Sequence, residues 1–265
     1  MRRAAFSVVL VALAAGCGGS EAAAPTGPAT QPPETAATEP EPEATNGLVV
    51  YLLRDGRVAP AHREVPQTAA VGTAAIEALL AGPTAEEESL GATSALPAGA
   101  SLLELTVADG TAAVDLSEGE LSEAALAQLT FTLTQFPTIK AVWVGVRGEP
   151  IGPQDHPLTR GDFPDLTPII LVEHPALGET VSSPVRVSGT ASVFEATLRV
   201  RLIGPDGMTL RDETVTASEG APGRGTFSVE IPFAASGPGQ VEAYTISAAD
   251  SSEQHNFAVA VELAP

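Results

Sequence analysis

Apolar and polar positions follow two rhythms along this chain. From residue 48 to 146, strand-length apolar runs alternate with longer stretches whose apolar residues recur every three or four positions. From residue 169 onward only short, period-two runs remain. Strands place alternate residues on opposite faces, and helices bring positions three and four apart onto one face, so these periods predict the elements. The run Leu48–Leu53 reads as a strand, Asp55-Gly56 as a hairpin turn, and 58–65 as a second strand in which Pro60 favours an edge. Residues 68–83 read as a helix, with Val71, Ala75, Ile76, Leu79 and Leu80 on one face and Gly82-Pro83 as its stop. Strands are predicted over 101–107 and 111–117, joined by Ala108-Asp109-Gly110, and a buried strand over 139–146.

Residues 118–137 fit two templates. Leu126, Leu129, Leu133 and Phe136 make a helical stripe, while Phe131 and Leu133 between threonines fit a strand; length and the cap residue Ser122 favour the helix. The order strand-strand-helix-strand-strand-helix-strand predicts an α+β domain, with helices on a mostly antiparallel sheet, over 47–151. Residues 152–168 are proline-rich and without periodicity, and read as a linker. Over 169–265 seven short strands with intervening turns predict an all-β, immunoglobulin-like sandwich. Leu198, Val200 and Leu202 point inward there, and Arg199 and Arg201 outward.

The first 46 residues have a different texture. Arg2 and Arg3 precede the apolar run Ala4–Ala15, which as a helix spans ~18 Å, too short for a ~30 Å hydrocarbon core. A charged start, a short apolar run and small residues before a cleavage point make a signal peptide over 1–16, cut between Gly16 and Cys17. Residues 17–46 hold five glutamates, no basic residue and none of Val, Ile, Leu or an aromatic, so this tether cannot bury enough apolar area to offset the entropy of ordering. Extended by proline and like charge, it reaches at most ~90 Å.

Charge narrows the partners. The formal net charge is −20, and loss of Arg2 and Arg3 makes it −22, a surface that repels nucleic acid and anionic lipid headgroups.

Candidate chemistry is sparse. Asp155-His156 and Glu173-His174 each offer two metal-ligating side chains, but zinc sites draw three or four ligands, and neighbours on a strand point to opposite faces. His62 and His255 stand alone in sequence. The pairs Asp212-Glu213 and Glu118/Glu120 suit acid–base hydrolysis only if burial separates their pKa values, and a solvated acidic face explains them as well. No Gly-x-Ser-x-Gly elbow is present. Arg160-Gly161-Asp162 spells an integrin-binding tripeptide, a three-letter pattern that chance supplies often. Phe194 and Trp143 read as core aromatics. No catalytic, metal-binding or cofactor-binding residue is predicted.

Three resemblances follow. Ala14-Ala15-Gly16-Cys17 resembles the bacterial lipoprotein signal, with Ala14 where that family usually has leucine. It implies lipidation of Cys17, a palmitate-type anchor in the cell membrane and an extracytoplasmic location; the plainer alternative is an ordinary secretory peptide. Leu79-Leu80-x-Gly82-Pro83, Leu96-Pro97, Val114-Asp115-Leu116-Ser117 and Gln128-x4-Leu133-Thr134-x-Phe136 resemble the GerMN domain of sporulation and germination proteins. Pro175, Val181, Pro184, Val187, Gly189, Ala191, Phe194-Glu195-Ala196, Gly207 and Gly225-x-Phe227-Ser228 resemble the immunoglobulin-like Gmad2 domain. Together they imply a non-catalytic binding module of the cell envelope, with an envelope protein or wall polymer as partner and self-association through the first domain. A wall-active hydrolase or its regulator, and a solute-binding lipoprotein, are the alternatives.

Overall fold

Three tight turns are set by residue pairs that adopt positive φ, the geometry of two-residue hairpins. Asp55-Gly56 (φ 51° and 73°) joins β1 (Thr45–Arg54) to β2 (Arg57–Pro66). After α1 (Val71–Leu80), α2 (Ala85–Ser89) and the short β3 (Ala92–Thr93), Asp109-Gly110 (50° and 80°) joins β4 (Leu102–Ala108) to β5 (Thr111–Leu116). After α3 (Glu123–Leu133), Arg147-Gly148 (53° and 78°) joins β6 (Ala141–Val146) to β7 (Glu149–Ile151). The computed structural model describes residues 44–153 and 155–265. The signal peptide, the Gly16–Cys17 cleavage point and the tether up to 43 lie outside the described residues.

The chain is mostly β-sheet, and the α+β expectation for the first domain holds only in part. Instead of one sheet there are two, in the orders β2-β1-β3 and β4-β5-β6-β7, and β5 and β6 run parallel. The physical reason lies in α3, where nine of its eleven residues are buried, including Gln128, Thr130 and Thr132. Side chains of α3, and Gln135 just past its end, serve the part of the β1 edge that the two-residue β3 leaves unpaired, as a strand would. Tyr51 N–H donates to Thr132 Oγ1 (2.9 Å), and Gln128 Nε2 donates to Tyr51 O (3.0 Å). Val49 N–H donates to Gln135 Oε1 (3.1 Å), and Gln135 Nε2 donates back to Val49 O (2.5 Å). Buried backbone groups must find partners, and here a helix supplies them.

Helix α2 was absent from the sequence-based expectations. Thr84 and Glu87 form a capping box at its start, and the Glu87 carboxylate also forms a bidentate pair with Arg63 of β2.

Residues from 169 onward form a two-sheet sandwich. One sheet contains β8 (Ile170–His174), β10 (Val185–Ala191) and β13 (Gly225–Ile231) in the order β13-β10-β8. The other contains β9 (Thr180–Ser182), β11 (Thr197–Ile203), β12 (Thr209–Thr216), β14 (Gly237–Ile246) and β15 (Glu253–Ala264), in the order β12-β11-β14-β15-β9. The strand beyond the seven predicted is β9, three residues that pair parallel with the end of β15. Leu198, Val200 and Leu202 are buried, as their alternation predicts. At Gly189 the β10–β8 register shifts, and a Cβ there would lie 2.0 Å from Leu171 O, so only glycine permits this approach.

Candidate functional site

Arg160 sits in a single 3-10 turn, Arg160–Asp162, whose start is closed by Asp162 accepting from Thr159 N–H (2.7 Å) and Oγ1 (2.8 Å). That turn aims the guanidinium into the junction between the two domains. It stands over the rings of Phe131 (4.8 Å) and Tyr51 (5.2 Å), donates through Nε to Thr134 Oγ1 (2.8 Å), and forms an ion pair with Glu173 of β8. Tyr51 donates its hydroxyl to the same carboxylate (2.9 Å). Burial, then the Glu173 charge, pushes the Tyr51 phenol well above its ordinary range. Burial works against the Arg160 charge, but Tyr51 and Glu173 more than offset it, so the guanidinium is held more firmly protonated than usual. The arginine of the tripeptide is therefore committed inside the protein.

Backbone bonds extend this seam. Val58 N–H donates to Leu166 O (2.9 Å), His62 N–H to Leu177 O (2.9 Å), and Leu177 N–H to Pro60 O (3.0 Å). The segment around Leu177 thus covers the edge of β2 that Pro60 marks. Leu158 and Phe163, within the unpatterned 152–168 stretch, are buried.

Other predicted residues do not converge. His156 is exposed between Asp155 at Nδ1 (2.9 Å) and Asp162 at Nε2 (3.4 Å), opposite ring nitrogens that cannot share an ion. Glu173 points to Tyr51, whereas His174 meets Glu179 (3.3 Å). His255 is an exposed residue of β15. Asp212 bonds Arg199 (3.0 Å) and the Tyr244 hydroxyl (2.8 Å), while Glu213 is exposed. Glu118 lies 3.6 Å from Arg147, and Glu120 is exposed. Among the described residues no three His, Cys, Asp or Glu side chains gather as metal ligands.

Two aromatics depart from expectation. Phe194 is 81% exposed, because Glu195 and Ala196 adopt positive φ (54° and 56°) and Val193 takes the buried place. Trp143 is 36% exposed, because Val142 and Val144 take the inner face of β6 and alternation sends the indole outward. It stands on the open face of the four-stranded sheet, over a shallow cleft of about 440 Å³ shared with Glu104, Thr106, Asp115 and Pro150. On the outer strand of that sheet, β4, Leu103 and Val107 are 55% and 51% exposed. Period-two alternation carried the signal for Trp143; strand order, which exposes β4, is not written locally.

Two family models match the chain. Residues 49–152 match the sporulation and spore germination family, and residues 169–252 match the immunoglobulin-like domain of bacterial spore germination. The chain is a tandem of these two germination-protein domains. The tandem GerMN domains of the sporulation protein GerM from Bacillus subtilis are 18% identical over 71% of this chain, with a TM-score of 0.39. That match spans 62% of the GerM structure, less than two thirds of its length. The first GerMN domain of the same protein is 24% identical over 44% of this chain and 100% of its own, with a TM-score of 0.36. A search of the curated proteins returns no match.

The motif residues of both germination domains have structural duties here. Gln128 bonds Tyr51 O and accepts from Ala95 N–H (2.7 Å). Pro97 lies so near Gly119 that a Cβ there would fall 2.2 Å away. Gly189 admits β8.

Proposed function

We propose that this chain is a non-catalytic binding module of the cell envelope, fixed to the outer face of the membrane by lipid on Cys17, and that it acts in sporulation or germination through protein contacts of its first domain. The tandem of germination domains supports the setting. One observation carries the binding role: β4 is an outer strand whose far edge pairs with no other strand among the described residues, and Leu103 and Val107 remain more than half exposed along it. A partner strand added there satisfies backbone groups and covers the apolar side chains together. The occupant is an envelope protein that presents an apolar strand, and a second copy of this chain meets the same requirement.

A photo-crosslinking residue at position 103, introduced in the living host, tests this reading. A discrete crosslinked species is expected, and it is expected to disappear in Val107→Glu while the thermal midpoint of the purified protein stays unchanged. Equal crosslinking in Val107→Glu and the parent, or none in either, rejects the β4 edge as the contact. Palmitate labelling that persists in Cys17→Ser rejects the anchor.

A further inference from the structure

A second cleft, of about 410 Å³, opens at the domain junction beside Arg160, and its chemistry differs from that of the surrounding surface. The chain carries 33 acidic against 13 Lys and Arg residues, yet this cleft is lined by two arginines and no carboxylate. The arginines are not equivalent. Arg160 is neutralised by Glu173, with its nitrogens occupied by Thr134, Tyr51 and Phe131 O. Arg224 has no carboxylate within ion-pair distance among the described residues. It donates through Nη1 to Thr190 Oγ1 (3.2 Å) and through Nη2 to Pro168 O (2.7 Å), both neutral acceptors. A guanidinium has five N–H donors, so donors remain after these two bonds. Burial lowers the Arg224 pKa, and the more distant charge of Glu173, already bonded to Arg160, offsets this only in part. Ser192 adds a hydroxyl beside it, and Phe131, Ile169 and Pro222 supply apolar wall.

We propose that this cleft binds a small ligand bearing a single carboxylate on a compact apolar body, with Arg224 as the anion anchor. A guanidinium fork matches a carboxylate in shape and charge, and the hydroxyls of Thr190 and Ser192 supply further donors. Two guanidiniums against the single carboxylate of Glu173 leave one net positive charge, which calls for one negative charge. A dianion gains no second partner here, because the Arg160 charge is already matched by Glu173. Small-molecule sites typically combine apolar walls with a few placed polar groups, as this one does. The apolar body comes either from the C-terminus of a peptide or from a simple organic acid, and the chemistry of recognition is the same.

Calorimetric titration of the full chain tests the assignment with four probes: N-acetyl-leucine for a peptide terminus, benzoate for a simple acid, N-acetyl-leucinamide as the uncharged control, and inorganic phosphate. Saturable binding of at least one carboxylate is expected, with the amide and phosphate weaker by about tenfold or more, the scale of one charge-assisted hydrogen bond. Arg224→Gln is expected to weaken carboxylate binding by about tenfold or more. Ser192→Tyr, which fills the cleft and leaves the Arg224 side chain in place, is expected to abolish it. Exposed Arg186→Gln is expected to change nothing. No saturable binding of either carboxylate, equal binding of amide or phosphate, or undiminished binding by folded Ser192→Tyr overturns the proposal, and the last of these stands even if Arg224→Gln fails to fold.

Discussion

His156 illustrates how a surface residue acquires a defined charge state. Its ring nitrogens face Asp155 and Asp162, and the hydrogen bond to Asp155, then that to Asp162, raises its pKa above the ordinary 6.5. The sign of the linked effect follows. A folded-state value above the unfolded one contributes stability that is present in full below pH 6.5 and is lost as the pH rises through the higher folded-state value. The ring is solvent-exposed, so the effect is read best from the residue itself. Carbon-detected NMR is expected to place its midpoint above 6.5, and Asp162→Asn to move the midpoint downward; a parent midpoint at or below 6.5 contradicts the assignment. Asp155-His156 was visible in the sequence as a polar pair, whereas Asp162 reaches the same ring only because the 3-10 turn folds it back. Trp143 and Phe194 carry the complementary lesson. Being aromatic predicted burial, but strand alternation and a positive-φ turn decided exposure.

Elements were legible where local signals were strong. Asp-Gly pairs set two hairpins, and regular alternation marked the strands of the sandwich. Helix α3 was the most ambiguous because both its faces are used: one contributes to the core, and the other presents Gln128 and Thr132 to β1, joined by Gln135 just beyond its end. A helix buried nearly all round has little amphipathic period to detect, so a strand template competes with the helix there and length and the Ser122 cap decide for the helix. Its threonines and glutamines look like solvent-facing residues until the position of β1 is known. Thr132→Val removes the acceptor for Tyr51 N–H at nearly constant shape, and leaves a buried donor without a partner. The expected loss is about 1–3 kcal/mol in urea unfolding, accompanied by faster exchange of the Tyr51 amide hydrogen. Unchanged exchange at Tyr51 would show that β1 does not depend on the helix for its edge.

Across the whole molecule, the apolar core is continuous from Leu48 in β1 to Leu263 in β15, and the two germination domains share a seam of backbone bonds and the Tyr51–Arg160–Glu173 network. Such a seam couples the domains, because opening it breaks the Arg160–Glu173 pair and the backbone bonds together and exposes the apolar core they share. Residues 44–265 of the intact protein are accordingly expected to unfold in one calorimetric transition. Arg160→Gln is expected to cost about 2–3 kcal/mol and to broaden or split that transition as the domains lose their link. Two separate transitions in the parent protein argue that each domain melts alone.

Period, turn chemistry and composition by themselves divide the sequence into a signal-like start, an acidic tether, a mixed segment and a run of short strands, because these signals arise from neighbouring residues and survive without a fold. The motifs likewise pointed to germination domains before any contact was known. What tertiary structure alone decided is which residues meet across long separations. It determined that Arg160 of a chance-like tripeptide joins two domains, that among the described residues the far edge of β4 pairs with no strand while that of β1 is shared by β3 and the side chains of α3, and that Arg224 lines a cleft that holds no carboxylate. Each depends on the packing of elements that local sequence specifies separately, and burial and charge pairing become defined only once those elements have come together.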